Sequence, residues 1–437
     1  MIELLKNTIT LSVIFPIVVL AGTYLSFRLR LVQIFKLKRA LLLITTKEKK
    51  GGISSFGALS AVLAGNLGTG NISGVAVALV SGGPGALFWM WVMAILASIT
   101  KYVGCFLGVH WQRQNKAGEW VGGPMYYLSE GLKSKKLAVL FCLFTITSAL
   151  TVGNLVQVHA LSLPIKELEI NPLGFGLFMA LLVGGVIFGS LKRFSHIVSA
   201  LVPLMAVAYI LTCVLILFWF RADLVGHLKL IMSSAFDLAP AVGGIAGYGV
   251  LSAIRAGFDR GLFATDSGLG LAPILHSSVR DTNPHQDNRI SQGLISLLSP
   301  LIVMIVCTMT GLVLLATKAA SKFELSSTTM CMEAFRIGFG SSWAGHIVSV
   351  TLFFFAFTTI LTWYYCANRA VQYLWGDKLV MPFRLLFIVL VPYGVYIHEN
   401  IVWLVADLSI NFMFIINMIG VIGLSTFVIK NSQEIIK

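Results

Sequence analysis

One interrupted apolar segment constrains this chain more than any other feature. Between Leu63 and Val75 the sequence reads Leu-Ala-Gly-Asn-Leu-Gly-Thr-Gly-Asn-Ile-Ser-Gly-Val, with glycines and small polar residues inside a run of membrane-spanning length. A backbone group freed within a bilayer has no water to bond, so each unsatisfied group is costly. Such a break is expected only where protein encloses it or a cavity lies beside it. In transporters, breaks of this kind hold the substrate and its coupling ion near the bilayer midplane.

The composition is that of a polytopic membrane protein. Of 437 residues, 57% are hydrophobic and 11% are charged, whereas a soluble domain carries about 25% charged residues. The net charge of +14 lies in short loops between apolar runs, as expected of cytoplasmic loops, and this placement argues against nucleic-acid binding. The six cysteines form no CxxC or Cys/His cluster, so the sequence predicts neither a disulfide framework nor a zinc site.

Hydropathy predicts eleven membrane spans, each near the ~20 residues that a helix needs. The first is interpreted as a retained helix rather than a cleavable signal peptide, because its basic residues follow the apolar run. The predicted spans are 8–27, 53–80, 85–109, 137–162, 172–190, 195–220, 238–259, 290–317, 343–367, 381–398 and 401–429.

Basic residues set the expected orientation. The linker after the first span is rich in Lys and Arg, which places it in the cytoplasm, with the N-terminus outside and the C-terminus inside. We expect four regions: an N-terminal helix with its linker (1–52), two five-helix repeats (53–236 and 237–430) and a cytoplasmic tail (431–437). A second glycine-rich stretch, Gly243–Gly249, lies five spans after the first break. Interrupted segments at matching places in two halves indicate inverted repeats.

Several motifs resemble the alanine or glycine:cation symporter family, in consistent order over residues 50–425. The resemblance is carried by Gly65-Asn-Leu-Gly-Thr-Gly-Asn-Ile-Ser-Gly-Val-Ala76, Gly82-Gly-Pro-Gly-Ala-Leu-Phe-Trp-Met-Trp91, Gly122-Gly-Pro-Met-Tyr-Tyr127, Gly153-Asn-Leu-Val-Gln157, Ala272-Pro-Ile-Leu-His276 and Phe355-Ala-Phe-Thr-Thr-Ile-Leu-Thr-Trp-Tyr-Tyr365. It implies an all-α leucine-transporter-type fold of two inverted five-helix repeats with one extra N-terminal helix. It also implies import of alanine or glycine across the cell (inner) membrane with Na⁺ or H⁺.

The resemblance also implies site residues. The substrate would be held by Thr69, Gly70, Asn71, Gln157, Gly244, Gly247 and Trp363. Na⁺ would be held by the backbone carbonyls of Gly65 and Gly68 and the hydroxyls of Thr358 and Thr359. Plainer interpretations stay open: an interhelical tie for Gln157, back-bonding to the helix for the two threonines, and core packing for Trp363.

Four positions depart from the family pattern. They are Gly104, where the family usually has Glu; Asp266, a shortened carboxylate; Leu271, in place of Ser; and Leu298-Ser-Pro300, where Asp is frequent. Intramembrane ionisable groups usually serve transport pathways, so these departures leave Na⁺ and H⁺ both open as the coupling ion. Drift at a gate is the alternative explanation. Lys101, inside the third span, is expected to snorkel or to find another partner.

The leading hypothesis is a secondary symporter that works by alternating access. The alternative is a transporter-like amino-acid receptor, or an exchange carrier that has lost ion coupling. No HExxH or GxSxG motif suggests an enzyme. The expected partners are a small neutral amino acid and the lipid bilayer, with no organic cofactor and no nucleic acid. The oligomeric state is left open, since a monomer suffices for this function.

Overall fold

The computed structural model describes residues 8–44, 53–189, 191–236, 249–280, 287–321, 327–397 and 399–433. Nearly all of them are helical, and the one β-hairpin described pairs Arg113 with Val121 and Gln114 with Trp120. The two strands are β1 (Arg113–Gln114) and β2 (Trp120–Val121).

The first half of the chain forms twelve α-helices among these residues. They are α1 (Phe15–Arg28), α2 (Val32–Phe35), α3 (Leu37–Ile44), α4 (Ser55–Asn66), α5 (Ser73–Gly82), α6 (Gly85–His110), α7 (Pro124–Tyr126), α8 (Lys135–Leu150), α9 (Val156–Glu167), α10 (Pro172–Ile187), α11 (Leu191–Trp219) and α12 (Leu224–Ser234). A 3₁₀ turn, Thr69–Asn71, separates α4 from α5, and a π-helical turn, Thr151–Leu155, joins α8 to α9.

The second half forms nine further α-helices in the described ranges. They are α13 (Val250–Thr265), α14 (Leu271–His276), α15 (Asn288–Ser296), α16 (Leu298–Ala316), α17 (Ser327–Phe339), α18 (Gly345–Trp375), α19 (Val380–Leu390), α20 (Glu399–Gly423) and α21 (Ser425–Asn431).

Seven helical stretches of the described chain are long and apolar enough to cross a membrane. They are Thr10–Arg28, Gly85–His110, Lys135–Glu167, Arg193–Trp219, Asn288–Ala316, Ser342–Val395 and Leu404–Gly423. The predicted span 343–367 and residues 381–395 of the predicted span 381–398 lie in the sixth stretch, which holds α18 and α19. Two further apolar helices, α5 and α10, are shorter than this length, and the predicted span 53–80 is divided into α4, the 3₁₀ turn and α5.

The interruption that we predicted in the seventh span, at Gly243–Gly249, lies outside the described residues except for Gly249, which is the N-cap of α13. The described chain has an interruption between α13 and α14, at Asp266–Gly270, where three residues have positive φ: Asp266 (49°), Gly268 (87°) and Gly270 (96°). A Cβ on Gly270 would lie 2.6 Å from Pro124 Cγ, so this turn requires glycine for both conformation and space.

The helices pack into two neighbouring groups. One contains α5, α6, α13 and α16, with α13 lying along both α5 and α6. The other contains α8, α9, α18 and α20, with α8 lying between α18 and α20. Helix α4 contacts α11 and α18, so the chain crosses from one group to the other at the break between α4 and α5. The break is therefore enclosed by protein, as its freed backbone groups require.

Candidate functional site

The break between α4 and α5 lies within van der Waals reach of two other helices. A Cβ added to Gly68 would lie 2.8 Å from Thr359 Oγ1 on α18 and 3.1 Å from Gln157 Oε1 on α9. Only glycine leaves room for both polar side chains at this point. The glycines that interrupt the apolar run thus admit hydrogen-bonding groups to the centre of the molecule.

The freed backbone groups of the break find partners from side chains. Thr69 N donates to Gln157 Oε1 at 3.2 Å, and Asn71 Nδ2 donates to the carbonyl of Asn66 at 2.6 Å. Thr310 Oγ1 on α16 donates to the carbonyl of Asn71 at 2.9 Å. These bonds replace the missing helical ladder and fix the shape of the break.

The Thr69 side chain takes no part in this pairing. Its residue is fully buried, and its hydroxyl has no hydrogen-bond partner among the described residues. A buried hydroxyl without a partner is costly unless a ligand or a water completes it. Next to it, a Cβ on Gly70 would lie 2.5 Å from Phe263 Cδ1, so the α13 aromatic ring packs flush against the break.

Gln157 is positioned by the π-helical turn Thr151–Leu155. Its Nε2 donates to the carbonyl of Val152 at 3.0 Å, which leaves Oε1 directed at Thr69. Isolated π turns occur mostly at functional sites. The interhelical tie that we left open as the plainer interpretation of Gln157 is present, whereas its role in substrate binding stays a prediction.

The two threonines of α18 behave differently. Thr359 Oγ1 donates to the carbonyl of Ala64 at 2.8 Å and lies 3.4 Å from that of Leu67. Thr358 Oγ1 instead bonds to Phe354 O and Phe355 O of its own helix, the back-bonding interpretation. The carbonyls that face Thr359 are thus those of Ala64 and Leu67, one position before the predicted Gly65 and Gly68.

Of the other predicted site residues, some lie near the break and some lie outside the described residues. Trp363 is 1% exposed and packs on Gly153 of the π turn, in keeping with the packing interpretation. Gly244 and Gly247 lie outside the described residues. Asn71 is buried, and its Oδ1 accepts from Cys307 Sγ at 3.2 Å.

The second break, which the sequence did not reveal, touches the first. Asn66 Nδ2, at the end of α4, donates to the carbonyl of Thr265, at the end of α13, at 2.9 Å. Asn417 Nδ2 on α20 donates to the carbonyl of Gly268 at 2.7 Å. The glycine pair in Asp266-Ser-Gly-Leu-Gly270 is the signal that could have located this break.

Three of the positions that depart from the family pattern lie at or next to this second break: Asp266 within it, Leu271 at the start of α14, and Gly104, which packs on α14. Lys101 Nζ, 2% exposed, donates to Ser299 Oγ at 2.9 Å, so its partner is a residue of the Leu298-Ser-Pro300 departure. Asp266 is 3% exposed, and its Oδ2 has no partner among the described residues. A Cβ on Gly104 is 3.0 Å from Pro273 Cγ, so α14 occupies the space that a larger residue would need.

Polar contacts between helices lie on either side of the site. On the side of the basic linker, Arg369 Nη2 pairs with Glu119 Oε2 at 2.8 Å, and Ser278 Oγ bonds to Tyr365 OH at 2.9 Å. On the other side, Ser73 Oγ bonds to Thr328 Oγ1 at 2.7 Å. Every residue of the break from Gly65 to Gly74 is buried.

The family assignment follows from comparison with known proteins. A family model described as the sodium:alanine symporter family matches residues 1–436. The chain belongs to the sodium:alanine symporter family. An uncharacterized transporter of Haemophilus influenzae is 41% identical over 425 residues, covering 96% of this chain and 92% of the relative. The sodium/alanine symporter AgcS of Methanococcus maripaludis is 35% identical over 444 residues, covering 98% and 96%.

Membership confirms the resemblance predicted from the motifs. It makes the chain a multi-pass membrane transporter, in agreement with its apolar helices. A solved structure of the Eremococcus coleocola manganese transporter matches with a TM-score of 0.55 at 14% identity, covering 87% of this chain and 79% of that one. At this identity the match supports a shared helical transporter fold and nothing about substrate.

The close approach at Gly68 generates a stability prediction. Gly68→Ala inserts a Cβ 2.8 Å from Thr359 Oγ1, so we expect overpacking to lower the free energy of unfolding by about 1–3 kcal/mol. Thermal unfolding of the purified chain in detergent measures this. Gly185→Ala on α10 is the matched control, because no described atom beyond its own helical backbone lies within 4 Å of its added Cβ. An equal melting temperature for both variants would contradict the crowded break.

A second prediction concerns Lys101 and Ser299. Lys101→Met removes the donor of their buried hydrogen bond and Ser299→Ala removes its acceptor, so each variant should destabilise the chain. The double variant should lose less than the sum of the two single losses, with a coupling of about 0.5–3 kcal/mol. A double-mutant cycle on thermal unfolding measures this coupling, and additive losses would show that the two side chains are independent.

Proposed function

We propose that the chain imports alanine or glycine together with Na⁺ by alternating access. The observation that carries the proposal is the buried, unpartnered hydroxyl of Thr69 at an enclosed break between two half-helices. The N-terminus of α5 follows this break, and half-helix N-termini suit the carboxylate of an amino acid. The name of the AgcS relative supports alanine as a substrate and sodium as the coupling ion.

The size of the site favours a small substrate. The Phe263 ring packs on Gly70, and Gln157 with its π turn closes the opposite side. We expect a side chain longer than a methyl group to meet this aromatic ring or the Gln157 amide. This crowding supports alanine or glycine over larger neutral amino acids.

The proposed ion site lies at the C-terminal end of α4. Its ligands would be the carbonyls of Ala64 and Leu67 together with the hydroxyl of Thr359. Half-helix C-termini and unwound carbonyls are the oxygen donors that hold Na⁺ in such transporters. Because Leu67 directly precedes the substrate-binding segment, a bound ion would fix the shape of the break that receives the amino acid. We infer that this shared segment couples ion and substrate.

In the proposed architecture two discontinuous helices are equivalent. One consists of α4 and α5, and the other of α13 and α14. In this arrangement residues 53–236 and 237–430 form two inverted five-helix repeats. The Asn66–Thr265 hydrogen bond joins the two breaks at their centre. Movement of one helix group against the other would then open the site toward one side at a time, with the N-terminus outside and the C-terminus in the cytoplasm.

Proteoliposome uptake tests the proposal. An inward Na⁺ gradient should drive accumulation of [¹⁴C]alanine or glycine, whereas an equal K⁺ gradient should not. Accumulation driven by a proton gradient without Na⁺ would instead identify H⁺ as the coupling ion. Binding of alanine without accumulation under either gradient would favour the receptor alternative and contradict the symporter.

The Thr359 hydroxyl provides a specific variant. Thr359→Val keeps the shape of the side chain but removes one proposed Na⁺ ligand, so we expect the Na⁺ concentration for half-maximal uptake to rise about tenfold or more. Thr351→Val is the matched control, because Thr351 lies on the same helix and its hydroxyl bonds only to Ile347 O. Equal Na⁺ dependence in the two variants would remove Thr359 from the ion site.

The substrate side of the site provides a separate variant. Gln157→Leu leaves Thr69 N unpaired and disorders the break, so the KM for alanine should rise about tenfold or more. Asn171→Ala is a control that removes a side-chain cap at the exposed start of α10, remote from the break. An unchanged KM for Gln157→Leu would show that Gln157 only ties helices together.

A further inference from the structure

A partly open polar cavity lies at the end of the bundle that carries the basic linker. It has a volume of about 210 Å³ and is bounded by α10, α11, α18 and α19. Its polar lining includes Glu119, Asn368, Arg369 and Arg384. None of the residues of the proposed substrate and ion sites lines this cavity, so it is separate from them.

The two arginines of the cavity differ in how many of their nitrogens have hydrogen-bond partners. All three Arg369 nitrogens are engaged, by Glu119 at 2.8 Å, Gln372 at 2.8 Å and Tyr365 at 3.1 Å. Arg384 donates only through Nε, to Tyr364 OH at 3.0 Å, and its guanidinium lies 5.3 Å from the centre of the Phe188 ring. Within the described part of the chain its two terminal nitrogens have no partner. The Arg369–Glu119 pair is neutral, so Arg384 leaves the cavity with net positive charge.

Arg384 lies near the start of α19, which we expect at the depth of the lipid headgroups. It lies one turn inside α19, about 6 Å from the first residue of that helix. Apolar side chains next to it are exposed on the outer surface, among them Leu385 at 48% and Phe188 at 51%. A guanidinium at this depth beside exposed apolar residues lies at the boundary between the hydrocarbon core and the headgroup region.

The seam between α10 and α19 continues from this cavity as an apolar groove. The groove has a volume of about 470 Å³, and Leu177, Ala180, Ile388 and Val389 line part of it. Val389 is five residues beyond Arg384, about 7.5 Å along the helix. An acyl chain spans half of a ~30 Å hydrocarbon core, so a chain attached to a headgroup at Arg384 reaches this groove.

We propose that this cavity binds the headgroup of an anionic glycerophospholipid from the adjacent leaflet, with one acyl chain in the groove between α10 and α19. The two free Arg384 nitrogens would donate to the phosphate as a fork. Asn368 Oδ1, buried without a partner in the described chain, would accept from a headgroup hydroxyl. Phosphatidylglycerol supplies both groups. Basic pockets between spanning helices on the cytoplasmic side are known sites for anionic headgroups.

Lipid titration of the purified full chain in detergent tests this site. Phosphatidylglycerol should raise the melting temperature more than phosphatidylcholine of the same acyl chains, and native mass spectrometry should retain it preferentially. In Arg384→Gln, the phosphatidylglycerol concentration that gives half of the rise in melting temperature should be about tenfold higher. Lys136→Gln, which removes one exposed positive charge at the same end of the bundle, should leave it unchanged.

Two further arms separate the possible sources of the phosphate. Inorganic phosphate and glycerol 3-phosphate, at the same concentrations, should give no comparable shift, because they lack the acyl chain. If either reproduces the full shift, the cavity is a site for a free anion and the lipid proposal is overturned. Equal phosphatidylglycerol shifts in wild type and Arg384→Gln overturn it as well. Should Arg384→Gln fail to fold, Arg384→Lys keeps the charge, loses the fork, and should bind with intermediate strength.

Discussion

Backbone groups freed inside a bilayer must be satisfied by the protein itself, and the structure is arranged around two places where this happens. At the first break, Gln157, Asn71 and Thr310 replace the missing helical hydrogen bonds. At the second, Asn417 bonds to the carbonyl of Gly268. The helices that supply these side chains come from both packing groups, so the breaks also hold the groups together.

Glycine makes this arrangement possible at the first break. Because Gly68 has no side chain, Thr359 and Gln157 can approach the backbone of the break, and Gly70 lets the Phe263 ring do the same. The same close approach leaves the Thr69 hydroxyl buried and unpaired and brings Thr359 onto the carbonyls of Ala64 and Leu67. A polar centre for a small zwitterion and an ion is thus a direct consequence of how the break is enclosed. We infer that coupling depends on the short segment that both would share.

Much of this could be predicted from the sequence, because a broken apolar run and a row of family motifs are local signals. These signals predicted that the chain is a membrane protein and that its helix is broken between α4 and α5. They also predicted that Gln157 and Thr359 lie close to this break. The break at Asp266–Gly270 was not among the predictions, because Gly243–Gly249, of which only Gly249 is described, has more glycines. The positive φ of three residues at Asp266–Gly270 depends on the contacts of α14.

Other features required the three-dimensional packing. The carbonyls that face Thr359 differ by one position from those predicted, because helical phase near a break cannot be read from a motif. The partner of Lys101 proved to be Ser299, nearly two hundred positions away. The orientation of Trp363 toward Gly153 depends on the π turn, which has no clear sequence signature.

Calorimetry of alanine binding to the purified chain, with Na⁺ and with choline in its place, tests the central claim most directly. The account predicts tight binding only with Na⁺, because the ion would order the segment from Ala64 to Asn71. By thermodynamic linkage, alanine should raise the affinity for Na⁺ by the same factor. Equal alanine affinity in choline and in Na⁺ would contradict the claim that one break serves both the amino acid and the ion.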